Sequence, residues 1–107
     1  MSDLPPAATL ILIALAHEVK HGYAMMNDIE QQTGGAYRVS AGTLYRWIAQ
    51  LLEWGLIEAA PIALSQEDDE RRKYYRLTAA GRSEAITQLQ RIEKLALYAR
   101  KQLNIDT

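Results

Sequence analysis

The last quarter of the chain carries apolar residues whose spacing alternates between four and three positions. This heptad seam, which begins at Ala85, predicts one continuous helix from Thr78 to about Leu103. A helix of that length has little else to pack against in a chain of 107 residues. We therefore expect it to pack against a second copy, and the candidate dimer interface consists of Leu89, Ile92, Ala96, Ala99 and Leu103.

Three helical segments and two short strands precede this helix. The first helix is predicted over 7–19, after Pro5-Pro6, and the second over 23–33, before Gly34-Gly35. The third begins at Ser40, a residue type that caps helices well. The stretches LIEAAPIAL and RKYYRL then predict a two-stranded hairpin. This order predicts a mainly α fold with a small β hairpin. It comprises a winged helix-turn-helix domain over residues 1–78 and a C-terminal dimerisation helix over 79–107.

Composition narrows the class of protein. The chain has no cysteine, so disulfides and thiolate chemistry are excluded. No apolar run reaches the length of a membrane span, and Met1-Ser2-Asp3 lacks the basic region of a signal peptide, so we expect a cytoplasmic protein. The net charge is −1, so any nucleic-acid-binding surface must be basic only locally.

The stretch AHEVKHGYA contains the letters H-E-x-x-H, a zinc-protease signature when it lies on a helix. A catalytic zinc site needs at least three protein ligands, and His17 and His21 are the only histidines. Gly22 also predicts that the helix ends there. We therefore expect His17 and Glu18 at a solvated helix end and His21 in a turn. The sequence contains no other catalytic motif, so we predict a protein that is not an enzyme and needs no metal or cofactor.

The third helix, SAGTLYRWIAQLLEWG, has two different sides. One is an apolar stripe predicted to be buried, formed by Leu44, Ile48, Leu51, Leu52 and Gly55. The other carries a compact polar set, which consists of Ser40, Thr43, Tyr45, Arg46 and Gln50. In a helix-turn-helix protein such residues meet the major groove, where Arg46 can bind guanine or phosphate and Gln50 can bind adenine. The alternative is a solvated surface on which Tyr45 packs sideways on the hairpin.

The predicted hairpin is rich in basic and aromatic residues, namely Arg71, Arg72, Lys73, Tyr74, Tyr75 and Arg76. A wing of this composition can hold the phosphates that flank a binding site or reach the minor groove. The acidic run over 67–70 opposes deep insertion of the tip, and we expect it to be a solvated loop.

The stretches HGYAMMNDIEQQTGG, SAGTLYRWIAQLLEWGLI and RRKYYRLTAAG together resemble the PadR family of bacterial transcriptional regulators. The resemblance covers about residues 8–82. It implies a winged-helix homodimer that binds a pseudo-palindromic operator, usually as a repressor, with the C-terminal helix crossing its partner and packing on helix 1. Carried over by position, it places DNA contacts at Tyr23, Ser40, Thr43, Tyr45, Arg46 and Lys73. His21 then belongs to the His-Gly-Tyr junction between helices 1 and 2.

The sequence departs from the family pattern at Trp47 in the recognition helix and in the acidic wing tip. Its single C-terminal helix resembles the small subgroup of the family, some of whose members bind planar hydrophobic effectors between subunits. The seam residues Leu89, Ile92 and Ala96 include no aromatic side chain to stack on such a ligand, which favours a dimer core. The alternative function is a winged-helix protein-interaction module that does not bind DNA, which the net charge of −1 leaves open.

Overall fold

The computed structural model describes residues 4–61 and 73–105 of the chain. Its elements follow the predicted order, with one additional strand. They are α1 (Pro6–Ala14), β1 (Lys20–His21), α2 (Gly22–Gln32), α3 (Ala41–Glu53), β2 (Ile57–Ala59), β3 (Tyr74–Leu77) and α4 (Ala79–Gln102). Within the described ranges, no helix combines the length and the apolar character needed to cross a membrane.

The first three helices enclose the core. Their fully or almost fully buried side chains are Ile11, Leu12, Leu15, Met25, Ile29, Leu44, Ile48 and Leu51. Leu56, Ile57 and Tyr75 from the strands close the same cluster. Each large apolar side chain buried in this way contributes about 1.5–3 kcal/mol, so this three-helix core is the main source of stability.

The sheet has three antiparallel strands in the order β1-β3-β2, not the two predicted. Lys20 pairs with Tyr75 on one side of β3, and Ile57 pairs with Leu77 on the other. The prediction that helix 1 extends to Val19 is therefore wrong, because α1 ends at Ala14. Because Lys20 is extended and pairs with Tyr75, the chain must leave the helical path before it, and residues 15–19 form this connection.

The turn between α2 and α3 follows the predicted Gly34-Gly35 stop. Both glycines have left-handed φ angles, of 61° and 82°, and the Gly35 N–H donates to the Glu30 carbonyl at 2.8 Å. The Thr33 hydroxyl donates to the Ile29 carbonyl at 2.7 Å and accepts from the Tyr37 N–H at 3.1 Å. This turn fixes the direction in which the chain enters α3.

Thr78, the predicted start of the long helix, joins α4 to the turn that follows α3. Its hydroxyl donates to the Gly55 carbonyl at 2.7 Å and accepts from the Gly81 N–H at 3.0 Å, which makes it the N-cap of α4. Its own N–H donates to the Leu56 carbonyl at 3.1 Å. Two of these three bonds, to Gly55 and Leu56, therefore hold the start of α4 beside the end of α3.

α4 is 24 residues long and packs on α1, and its buried residues, Gly81 and Gln88, both lie in its first half. Gln88 is buried there, and its amide donates to the Glu84 carboxylate at 2.8 Å. Further along, Leu95, Leu97 and Tyr98 are exposed by 66%, 57% and 62%. At 1.5 Å per residue the helix extends for about 36 Å, well beyond the helical core.

Candidate nucleic-acid interface

The two sides of α3 are distinct, as the sequence predicts, but the buried stripe is narrower. Leu44, Ile48 and Leu51 are buried, whereas Leu52 and Gly55 are exposed and their predicted burial is wrong. Position i+8 lies about 80° around a helix from position i, so Leu52 falls at the edge of the stripe. Gly55 has a left-handed φ of 73° and lies beyond the end of the helix.

The first turn of α3 carries a pair of hydroxyl groups. Ser40 Oγ accepts from the Thr43 N–H at 3.2 Å, which confirms Ser40 as the N-cap. The same hydroxyl donates to Thr43 Oγ1 at 3.1 Å. The pair lies at the surface, with Ser40 exposed and Thr43 half-buried, so these hydroxyls remain accessible to a partner.

Tyr45 lies sideways between α3 and the start of α2. Its ring lies against Gly22, and a Cβ added there would be 2.9 Å from Tyr45 Cζ and closer still to the hydroxyl. Burial raises the pKa of the Tyr75 phenol on β3, and the neighbouring Tyr45 phenol raises it further. Tyr45 nonetheless remains 47% exposed. Tyr45 thus packs sideways on the start of α2, next to Tyr75 of the predicted hairpin, and its exposed part is accessible to a partner.

Arg46 is exposed on the outer side of α3, and Gln50, one turn later, is half-buried. The unusual Trp47 points the other way. It packs against the core, with its ring centroid 6.3 Å from that of Trp54. Trp47 therefore anchors the helix and leaves Arg46 at its outer surface.

The wing contributes less positive charge than its sequence suggests. Arg76 Nε donates to Glu58 Oε2 at 2.7 Å across β3 and β2, which pairs its charge with a carboxylate. Lys73 is exposed and immediately precedes β3. Arg71, Arg72 and the acidic run over 67–70 lie outside the described residues.

Lys73 and the start of α2 lie at the same end of the sheet. Tyr74, next to Lys73, pairs with His21, and the two rings meet edge-on with centroids 5.3 Å apart. His21 Nδ1 accepts from the Ala24 N–H at 3.3 Å, so this residue is the N-cap of α2 rather than a simple turn residue. Tyr23, the next exposed residue, has 67% of its surface accessible.

The start of α2 thus contacts α3 through Gly22 and Tyr45, and it contacts the base of the wing through His21 and Tyr74. The contribution of Gly22, which seats Tyr45, was not predicted. In the sequence this glycine was predicted only to end helix 1, and no sequence signal indicates its contact with Tyr45. His17 and His21 lie in a turn and a strand, so they do not form the helical face that a zinc-protease motif requires.

A second surface lies between α1 and α4. An open groove of about 440 Å³ is lined by Leu10, Ile13, Tyr37, Ile92 and Leu95, among others. Of the predicted seam, Leu89, Ile92 and Leu103 are exposed by 48%, 51% and 68%, Ala96 is exposed and Ala99 is half-buried. Although the seam itself has no aromatic residue, Tyr37 from the α2–α3 turn supplies one to this groove.

A core of three helices, a small three-stranded sheet and the exposed polar side of α3 define a winged helix-turn-helix protein. The chain belongs to the transcriptional regulator PadR-like family, whose model matches residues 11–87, more than half of its length. Members of this family are transcriptional regulators, not enzymes, in agreement with the sequence prediction. No curated protein matches the sequence.

Solved structures share the fold. A transcriptional regulator from Clostridium thermocellum is 26% identical with a TM-score of 0.74, over 89% of this chain and 87% of that one. A PadR-like transcriptional regulator from Bacillus cereus is 23% identical with a TM-score of 0.76, over 90% and 89%. Bacillus subtilis PadR, solved in complex with operator DNA, is 20% identical with a TM-score of 0.68, over 81% of this chain and 48% of that one.

Proposed function

We propose that this regulator is a cytoplasmic, bacterial, DNA-binding repressor that binds a pseudo-palindromic operator as a homodimer. The observation that carries the proposal is the exposed outer side of α3, where Arg46 and the hydroxyl pair stand clear of the core. The complex of Bacillus subtilis PadR with operator DNA supports it. In this proposal, repression comes from occlusion of the promoter by the bound protein.

In the proposed complex, the first turns of α3 enter the major groove and the surrounding residues hold the phosphates. Arg46 and Gln50 contact base edges, while the hydroxyls of Ser40, Thr43 and Tyr45 donate to phosphates or bases. Tyr23 and Lys73, at the neighbouring end of the sheet, contact flanking phosphates, together with Arg72 from the wing. This assignment concentrates the DNA contacts at one end of the domain, although the chain has a net charge of −1.

The proposed dimer buries the seam of α4 and the groove on α1. Apolar side chains on half-exposed positions, such as Leu89, Ile92 and Leu103, lose their contact with water when a partner helix covers them. In this arrangement residues 1–78 bind DNA and 79–107 form the dimer. Two-fold symmetry then sets the recognition helices about 34 Å apart, one turn of DNA. Tyr37 in the groove adds an aromatic surface for a small hydrophobic effector.

The test is selection of bound duplexes from a random library, followed by fluorescence anisotropy. We expect the selected sequences to share an inverted repeat, and the affinity to fall steeply with salt, by about 0.9 log units per phosphate contact per log unit of salt. A scrambled duplex is the control. If no sequence is enriched and binding is weak on every duplex, the chain is a protein-interaction module instead. Repression is tested separately, by a reporter gene placed behind the selected operator.

A further inference from the structure

Gly42 is the second residue of α3, and its backbone is exposed. Among the described residues, and apart from its two chain neighbours and the adjacent backbone of α3, no heavy atom lies within 4 Å of the position that a Cβ on Gly42 would take. Its φ angle is not in the left-handed region. The folded chain therefore has both the space and the backbone conformation for a side chain at this position.

The five other glycines each have a reason within the chain. Three adopt left-handed φ angles, namely Gly34, Gly35 and Gly55. At the other two, Gly22 and Gly81, a Cβ would lie less than 3 Å from a neighbouring atom, which would have to move. Glycine in a helix is less favourable than alanine, because it loses more conformational freedom on folding. Gly42 thus weakens α3 without any return to the fold, which points to a role outside the chain.

The position of Gly42 on the helix indicates what that role is. Gly42, Arg46 and Ala49 are spaced at i, i+4 and i+7, so they share one side of α3. All three are exposed, opposite the buried Leu44 and Ile48. The long cationic side chain of Arg46 is thus flanked along this side by a hydrogen atom and a methyl group. A partner that binds Arg46 therefore meets bare backbone at Gly42, one turn before it, and Ala49 and Gln50 in the turn that follows.

We propose that Gly42 is a positioning residue for DNA recognition. Because it has no side chain, the first turn of α3 can contact the DNA surface directly, and this contact sets the depth at which Arg46 enters the groove. Hydrogen bonds from a guanidinium weaken steeply beyond about 3.2 Å, so even a methyl group that holds the helix away from DNA weakens them. The proposal rests on the proposed function, since it assigns a role within the same interface.

The test compares Gly42→Ala and Gly42→Leu with Ala80→Leu. Ala80 is the matched control because it is the exposed second residue of α4, the same position that Gly42 occupies in α3. For each variant, the melting temperature and the affinity for the selected operator are measured. We expect Gly42→Ala to melt at or above the wild-type temperature and to bind the operator about tenfold more weakly, a change of about 1.4 kcal/mol. Gly42→Leu weakens binding further, and Ala80→Leu leaves it unchanged.

A second readout connects Gly42 to Arg46. In the Arg46→Ala background, Gly42→Ala should cost clearly less affinity, because the contact that it displaces is already missing. Wild-type affinity for Gly42→Ala overturns the proposal. So does a loss of affinity that is matched by a fall in melting temperature, since the glycine would then serve the fold. If the wild-type protein selects no duplex, it is the proposed function that fails, and this inference fails with it.

Discussion

The ring of Tyr45 on α3 lies directly on the backbone of Gly22, the first residue of α2, with its Cζ atom 2.9 Å from the position of a Cβ on that glycine. This contact joins the starts of the two helices of the helix-turn-helix unit. It also determines where the phenol hydroxyl points, although the ring is only half-buried. The position of a proposed DNA contact therefore depends on a residue that carries no side chain.

We predict that Gly22→Ala displaces Tyr45 while leaving the fold intact. The new methyl group also meets Leu44 Cδ2 at 3.2 Å, but the ring end of a tyrosine can rotate away. We expect a cost of about 1 kcal/mol in the free energy of unfolding, at the low end for overpacking, and an operator affinity as weak as that of Tyr45→Ala. Denaturant unfolding and anisotropy measure the two effects. In the Tyr45→Ala background the unfolding cost should shrink, and an unchanged cost would contradict this account.

Gly81 is predicted to be much less tolerant. A Cβ there would collide with the Leu56 carbonyl oxygen and lie 2.9 Å from both its carbon and Leu77 Cδ1. The Leu56 carbonyl accepts from the Thr78 N–H, so it is held in place. Gly81→Ala should therefore cost about 2–3 kcal/mol in the free energy of unfolding. Ala80→Gly, one residue earlier, is the control, and it should cost about 1 kcal/mol or less. Equal costs for the two variants would show that the backbone contact is not limiting.

Local signals in the sequence were sufficient to locate the four helices, but not the end of α1 or the sheet. Ser40 and Thr78 were predicted as helix starts, and both act as N-caps through their own hydroxyls. β1 was missed because two residues, Lys20 and His21, show no alternating pattern, and their partners on β3 lie far away in the sequence.

In the candidate site, too, features that depend on neighbouring residues could be predicted from the sequence, and contacts between separate elements could not. The polar side of α3 was predicted from helical spacing, which depends only on neighbouring residues. Neither the seat of Tyr45 on Gly22 nor the pairing of Arg76 with Glu58 was predicted. Both contacts depend on how separate elements pack. The pairing of Arg76 with Glu58 also depends on the register between β2 and β3, which no local sequence pattern determines.

Arg46 and Lys73 are predicted to contribute to DNA binding in different ways. Arg46→Ala should cost about 1–3 kcal/mol on the selected operator and relax the preference at one base pair. Lys73→Ala should weaken binding on all duplexes and reduce the salt slope by about 1. Arg82→Ala is the control, because it removes the same charge beyond the opposite end of β3. Anisotropy on selected and scrambled duplexes at several salt concentrations separates these effects. If Arg82→Ala weakens binding as much as either variant, net charge rather than position is responsible.

Tyr75 is predicted to make stability depend on pH in the alkaline range. Burial raises the pKa of its phenol above the ordinary value of about 10, so the folded protein holds this proton more tightly than the unfolded chain. The stabilisation from the neutral phenol is fully present below pH 10 and is lost as the pH rises through the folded-state pKa. Tyr75→Phe removes this dependence, so its free energy of unfolding should fall less steeply above pH 10 than that of the wild type. Parallel curves in denaturant titrations across this range would contradict the prediction.

Ile92 lies in both the seam of α4 and the groove on α1, and it is predicted to be central to the dimer. Its side chain is 51% exposed in the single chain, so a charge at this position is tolerated by the monomer fold. In a dimer the same charge would be buried against apolar side chains, at a cost of several kcal/mol. Ile92→Glu should therefore be monomeric in sedimentation or light-scattering measurements at concentrations where the wild type is dimeric. Thr87→Glu is the control, because Thr87 is exposed on the side of α4 opposite the seam. A dimeric Ile92→Glu variant would place the interface elsewhere on the chain.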